Sequence, residues 1–331
     1  MSTRSLSVPL SVLDRSSIRR GQTPADAVRD TVRFARRMEA LGYHRFWVAE
    51  HHSVPGVAGS APTVLAAAVA ANTSCIRVGT GGVMLPNHQP LVVAEQFGTL
   101  EALHPGRIDM GLGRSVGFTG GVRAALGRGK EHASHFDEQI RELLGYFAGS
   151  PVHRGVRGIP AEGLRVPAFV LATGSGADVA ADTGLALVIA PVSGVDKMSE
   201  HIARYRATFR LSSLWPRPYV IVATAVAVAD TPRRARELLL PEAWSLVHSR
   251  TRGVFPPLLP PADIPTPTER EAALLADVLR NQIHGTPASV HDELVALVER
   301  TAADELLITM STYDRADMLD SYTALAELAG G

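Results

Sequence analysis

The sequence is short of several things, and each shortage excludes something. Among its 331 residues there is one cysteine, Cys75, so no intrachain disulfide can form and a thiolate zinc site is ruled out. There is no charge excess: 33 Lys and Arg stand against 33 Asp and Glu. A chain that grips nucleic acid by its phosphates needs a basic surplus, so no nucleic-acid partner is expected. No apolar run approaches the roughly eighteen residues of a membrane span. The opening stretch MSTRSLSVPLSVLDRSS holds no run long enough for a secretory signal, so a soluble cytoplasmic protein is expected. Two motifs are also missing. No G-x-G-x-x-G follows the first strand, which argues against a dinucleotide fold. No H-x-H follows it either, which argues against a metal-dependent barrel hydrolase, and no metal is expected.

What is present is a rhythm. Hydrophobic residues make up 46% and charged residues 20%, enough for a large core. Short apolar runs at 6–13, 45–48, 77–85, 108–112, 168–171, 185–190, 219–229 and 305–310 read as eight strands. Segments with helical periodicity lie between them. The first opens at Thr23-Pro24, an N-cap with proline at the first helical position, and stops at Gly42. Strand–helix alternation argues for a parallel sheet, and eight units for closure into a (β/α)8 TIM barrel spanning 1–331 as one domain. One stretch breaks the rhythm. Residues 241–286, with PPLLPPADIPTPTE and an extra helix, form an insertion between strands seven and eight, to be read as a lid or as a rigid excursion.

In such barrels the chemistry sits where the strands end. Glu50-His51-His52 follows strand two, and histidine can donate, accept or bind metal near neutral pH. The plain alternative is one capping and one solvated histidine. Gly81 and Gly82 interrupt strand three, which marks either a ligand approaching the backbone or a packing constraint. Arg114 follows strand four and is either a phosphate partner or a solvated arginine. Thr173, Gly174, Ser175 and Gly176 open a helix whose free amides suit an anion, or are an ordinary helix start. A flat ligand over strand three with its phosphate near strands four and five would account for all of these, and flavin mononucleotide fits.

The stretches LGYHRFWVAEHHSVPGVAGSAP and IRVGTGGVMLPNHQPLVVAEQFGTLEALHPGRIDMGLGR, with HGTPASVHDELVALVERTAADELLI near the end, resemble the bacterial luciferase-like flavin monooxygenases. Within them the chain is most similar to the group that includes mensacarcin-type tailoring oxygenases of aromatic polyketide pathways, hence of antibiotic biosynthesis. The resemblance is loose between 115 and 167. It implies a homodimer joined through helices near strands two and three. It also implies reduced FMN delivered by a separate reductase and oxygen transfer from a C4a-peroxyflavin, hydroxylating or epoxidising a small substrate. His51 then falls on the catalytic histidine, with Glu50 setting its position and tautomer, and His52 on a flavin contact. Gly81-Gly82 fall on the isoalloxazine support, often a cis peptide, and Arg114 and 173–176 on the phosphate site. Alternatives within the superfamily are a deazaflavin F420-dependent oxidoreductase and a non-catalytic flavin binder. Gly113 and Ala172 depart from the luciferases, and Pro191-Val192 from many near relatives, so light emission is not expected and a remodelled substrate pocket is.

Overall fold

The computed structural model describes residues 6–329. Its strands are β1 (Leu10–Asp14), β2 (Arg45–Val48), β3 (Arg77–Thr80), β4 (Val83–Met84), β5 (Ile108–Gly113), β6 (Ala168–Ala172), β7 (Ala186–Ile189), β8 (Val220–Thr224), β9 (Val226–Val228), β10 (Ile283–Gly285) and β11 (Glu305–Ile308). The main sheet has nine strands in the order β3-β2-β1-β11-β8-β7-β6-β5-β4, all pairings parallel, and β3 also pairs with β5. That extra pairing closes the sheet on itself. β3 and β4 are two halves of one stave broken at Gly81-Gly82, so the nine strands make an eight-stave barrel, the expected architecture. The strands β2, β7 and β11 are buried at every residue, as near-continuous apolar runs in a parallel barrel should be.

Around it lie α1 (Pro24–Ala40), α2 (Pro62–Ala71), α3 (Pro90–Leu103), α4 (Gly120–Ala125), α5 (Phe136–Phe147), α6 (Gly176–Thr183), α7 (Val195–Thr208), α8 (Pro232–Arg252), α9 (Glu269–Arg280), α10 (Pro287–Thr301) and α11 (Arg315–Ala329). Five of them open on a threonine hydroxyl that accepts an orphan amide three residues on: Thr23, Thr119, Thr231, Thr268 and Thr286.

Four boundaries differ from the sequence reading. The first strand starts at Leu10 rather than residue 6, because Pro9 has no N–H for the ladder and contributes only its carbonyl, to Leu306. The third breaks after Thr80. The seventh divides at Ala225: β9 leaves the barrel and pairs with β10 as a separate two-stranded ribbon. The insertion does not begin at Pro241. That proline lies inside α8, which runs on to Arg252 and ends at Gly253, whose φ of +74° only glycine adopts easily. The proline-rich stretch beyond is stitched to the barrel's loops. Gly56 N donates to Phe255 O, Leu258 N to Ile18 O, and Arg20 N to Leu258 O, at 2.8–2.9 Å.

The N-terminal end of the barrel is plugged by charge. Arg45 Nη1 reaches Asp109 Oδ2 at 2.7 Å and its Nε reaches Glu305 at 3.0 Å. Arg77 Nη2 takes the other oxygen of Asp109 at 2.6 Å. Trp47 Nε1, Tyr219 Oη and Ser11 Oγ donate to the remaining lone pairs. Asp109 and Glu305 are fully buried. The charges hold Arg45 protonated, its pKa raised despite burial. Above the plug lies an apolar layer in which Trp47 and Phe169 meet edge to face at 4.9 Å.

Candidate functional site

The C-terminal ends of the staves are open. They surround a cavity of about 1050 Å³. Its floor is the broken stave. The Gly81–Gly82 peptide is cis, and both residues line the cavity. Side chains are excluded here by the barrel itself: a Cβ on Gly82 would lie 2.7 Å from Gly111 O, and one on Gly81 2.6 Å from Leu13 Cδ1. The packing constraint and the bare backbone facing the cavity are therefore the same feature.

One side of the cavity carries groups that could hold an anion. Thr173, Gly174, Ser175 and Gly176 line it where β6 turns into α6. Ser175 occupies the N-cap but makes no capping bond with its side chain; Ala177 N and Asp178 N donate to Gly174 O and Ser175 O, which leaves the Gly176 amide at the start of α6 to face a ligand. Arg114 comes from the end of β5 onto the same wall, exposed and without an ion pair or hydrogen bond among the described residues. Lys130 reaches the cavity from the following segment, likewise unpaired. Apolar side chains make up another part of the lining: Leu171, Val188, Ile189, Pro191 and Leu246, so water there has few partners.

Glu50, His51 and His52 do not line this cavity. They lie behind its floor. Glu50 is buried, and its carboxylate holds three donors: His52 Nε2 at 2.7 Å, His88 Nε2 at 2.9 Å and the Met84 amide at 2.9 Å. A carboxylate only accepts, so both histidines donate from Nε2. Burial alone would raise the Glu50 carboxyl. The His88 bond and charge, the Met84 amide and His52 outweigh it and hold the group below its ordinary value. The expected pairing of Glu50 with His51 is thus replaced. Neighbouring residues at a strand end point apart, and the residue two on, His52, shares the face of Glu50. His51 hydrogen-bonds through its backbone to Gly59 O at 2.8 Å, and its Nδ1 is buried without a partner. Burial first, then the Arg15 guanidinium, push its pKa down to about 4, so it is neutral at pH 7.

Two residues of this region escaped the sequence reading. His88 sits in the tight turn after β4, and the PNHQP string was its only signal. Arg15 follows β1, lines the cavity, and pairs with Glu242 of α8. Among the described residues no group of three or more His, Cys, Asp and Glu side chains could hold a metal ion, and no helix is long and apolar enough to cross a membrane.

Known proteins resemble this chain in sequence and fold. The family described as luciferase-like monooxygenase matches residues 9–305. The protein YvbT of Bacillus subtilis is 39% identical over 324 residues, 96% of each chain. The solved structure of apo-MsnO8 superposes with a TM-score of 0.88 at 32% identity over 98% of both chains. The oxygenating constituent of 3,6-diketocamphane monooxygenase from Pseudomonas putida, solved with FMN, superposes at 0.75 over 98% of both chains, and at 19% identity shares the fold. Matched along the whole barrel and in its sequence, the chain belongs to the luciferase-like monooxygenase family.

Proposed function

We propose that this chain is an FMNH2-dependent monooxygenase that hydroxylates or epoxidises a small organic substrate. The observation that carries this reading is the pairing of an unspent cation, Arg114, with the uncapped start of α6 on one wall of a cavity whose floor is bare glycine backbone. Phosphate needs the first, and a flat ring system the second. Bound there in reduced form, FMN supplies the electrons with which O2 is activated for transfer of one oxygen to the substrate. Arg114, Thr173, Gly174, Ser175 and Gly176 hold the phosphate. Gly81 and Gly82 support the ring. Glu50 fixes that support from behind through the Met84 amide, with His52 and His88 holding its charge in place. His51, neutral at pH 7, acts by hydrogen bonding rather than as an imidazolium acid. The apolar part of the lining keeps water from the reacting atoms.

A cavity at the upper end of the usual ligand-pocket range has room for a second molecule beside a flavin. The resemblance to polyketide-tailoring oxygenases makes an aromatic polyketide the first candidate for that molecule. The reduced flavin comes from a separate reductase. A homodimer through α2 and α3 is supported by the apolar side chains they expose, Val64, Val92 and Leu103.

Titration with FMN, riboflavin and F420, followed by a reductase-coupled assay of O2 uptake and product, tests the reading. FMN is expected to bind at least tenfold tighter than riboflavin, because only FMN carries the phosphate. Tighter binding of F420, with hydride transfer and no O2 uptake, would replace the monooxygenase with an F420-dependent oxidoreductase. Flavin binding with no product from any substrate offered would leave a flavin-binding protein.

A further inference from the structure

Arg15 has no role in the phosphate site, yet it places a cation at the other end of the same cavity. It follows β1, whose next inward residue, Leu13, packs against Gly81. It is therefore next to the glycine floor, whereas Arg114 and Lys130 arrive from β5 and the segment after it. Its side chain is 29% exposed, open to the cavity and otherwise enclosed. One Nη atom is held by Glu242 Oε1, and the other oxygen of Glu242 accepts the Ser311 amide at 2.8 Å. Glu242 thus anchors the guanidinium from α8 and is itself anchored. A guanidinium carries five N–H groups. Among the described residues Arg15 has no hydrogen-bond or ion-pair partner besides Glu242, so donors remain for a ligand.

A positive charge there can do something the phosphate cations cannot. Two electrons and one proton, delivered by the flavin reductase, convert FMN to the anion FMNH−, with the second proton left in solvent. The new charge resides on the pyrimidine end of the ring, remote from the phosphate. Resting on the flavin reading above, we infer that Arg15 is a cofactor-binding residue that stabilises the anionic reduced flavin over the oxidised form, so that the protein selects FMNH− from solution. Oxidised FMN has no such charge and gains little from Arg15. A guanidinium fixed in a site shielded from water acts on charge more strongly than one in solvent.

The test measures affinities for oxidised FMN and, anaerobically, for reduced FMN, together with the midpoint potential of the bound flavin. Arg15→Gln should leave oxidised affinity within twofold and weaken reduced affinity about tenfold. Its midpoint potential should fall by ~30 mV, since tenfold is 29.6 mV for a two-electron couple. Arg15→Lys should keep most of the preference. Glu242→Gln, which removes the opposing charge, should move the potential upward. If the wild-type protein binds FMN and Arg15→Gln leaves the potential and the affinity ratio unchanged, Arg15 is only a strut between β1 and α8, and the inference fails while the flavin site stands. If wild type binds no FMN in either form, both fail. Should Arg15→Gln not fold, the signs expected for Arg15→Lys and Glu242→Gln decide the matter.

Discussion

The two ends of the barrel use charge in opposite ways. At the closed end, Arg45 and Arg77 meet Asp109 and Glu305, and the leftover lone pairs go to Trp47, Tyr219 and Ser11. At the open end, Arg114, Lys130 and Arg250 line the cavity with no partner among the described residues. Buried charges must be compensated inside the fold. Charges left uncompensated beside a cavity await something from outside. On the proposed flavin reading, the difference separates residues that hold the barrel together from residues that would hold a ligand.

The sharpest way to break this comparison is to open the closed end. Asp109→Ala removes the buried carboxylate shared by Arg45 and Arg77, leaving the buried Arg45 with Glu305 alone, and should cost about 3–5 kcal/mol of unfolding free energy. Urea denaturation reads this directly, and a loss below 1 kcal/mol would mean the plug is not structural. Behind the cavity floor, His51→Ala should lower product yield per O2 consumed about a hundredfold, with FMN affinity retained. Unchanged coupling would remove His51 from the chemistry. Arg114→Ala should weaken FMN about tenfold, ~1.4 kcal/mol, and leave riboflavin unaffected. An equal loss for both ligands would detach Arg114 from the phosphate.

A smaller effect is set by pH. His51 titrates near 4 in the folded chain and near its ordinary 6.5 unfolded. The unfolded chain binds the extra proton first, so stability should be lost as pH falls from about 6.5 toward 4. His51→Gln should flatten that part of the stability curve. A curve unchanged by the substitution would show that His51 is not buried as described. The smallest effect concerns the cover. Neither α4 nor the turn at 130–135 buries a residue. The segment 114–130 reaches the barrel, among the described residues, through one hydrogen bond, Arg128 Nη2 to His88 O at 3.3 Å. The proline-rich stretch after Gly253 has three backbone bonds to other loops. Trypsin should therefore cut first after Arg123, Arg128 or Lys130, and FMN should slow it. First cuts after Arg252 or Arg270, slowed by FMN, would return the lid to the insertion.

Much of this was legible from local pattern. Alternating apolar strands and capped helices disclose the barrel, because each stave and helix announces its own burial. The glycines of the floor and the Thr173–Gly176 turn were visible for the same reason. What escaped depends on pairs distant in sequence. His88 is 38 positions from Glu50, and nothing near either one foretells their contact. Arg45, Asp109 and Glu305 each read as a stray charge at a strand start until closure brings them together. Pro241 looks like a helix end and is passed through, because α8 is held on both sides of it by buried residues such as Leu238, Leu239, Trp244 and Val247.

The self-contained plug has a bearing on how such a chain can change over time. Its charges are balanced by strand residues alone, and no loop of the open end contributes to it. Substitutions among the rim loops therefore draw little on the reserve that keeps the chain folded. A lineage can exchange one substrate for another by rewriting 114–133 and 253–282 while inheriting the same foundation. An engineer can graft loops there on the same terms.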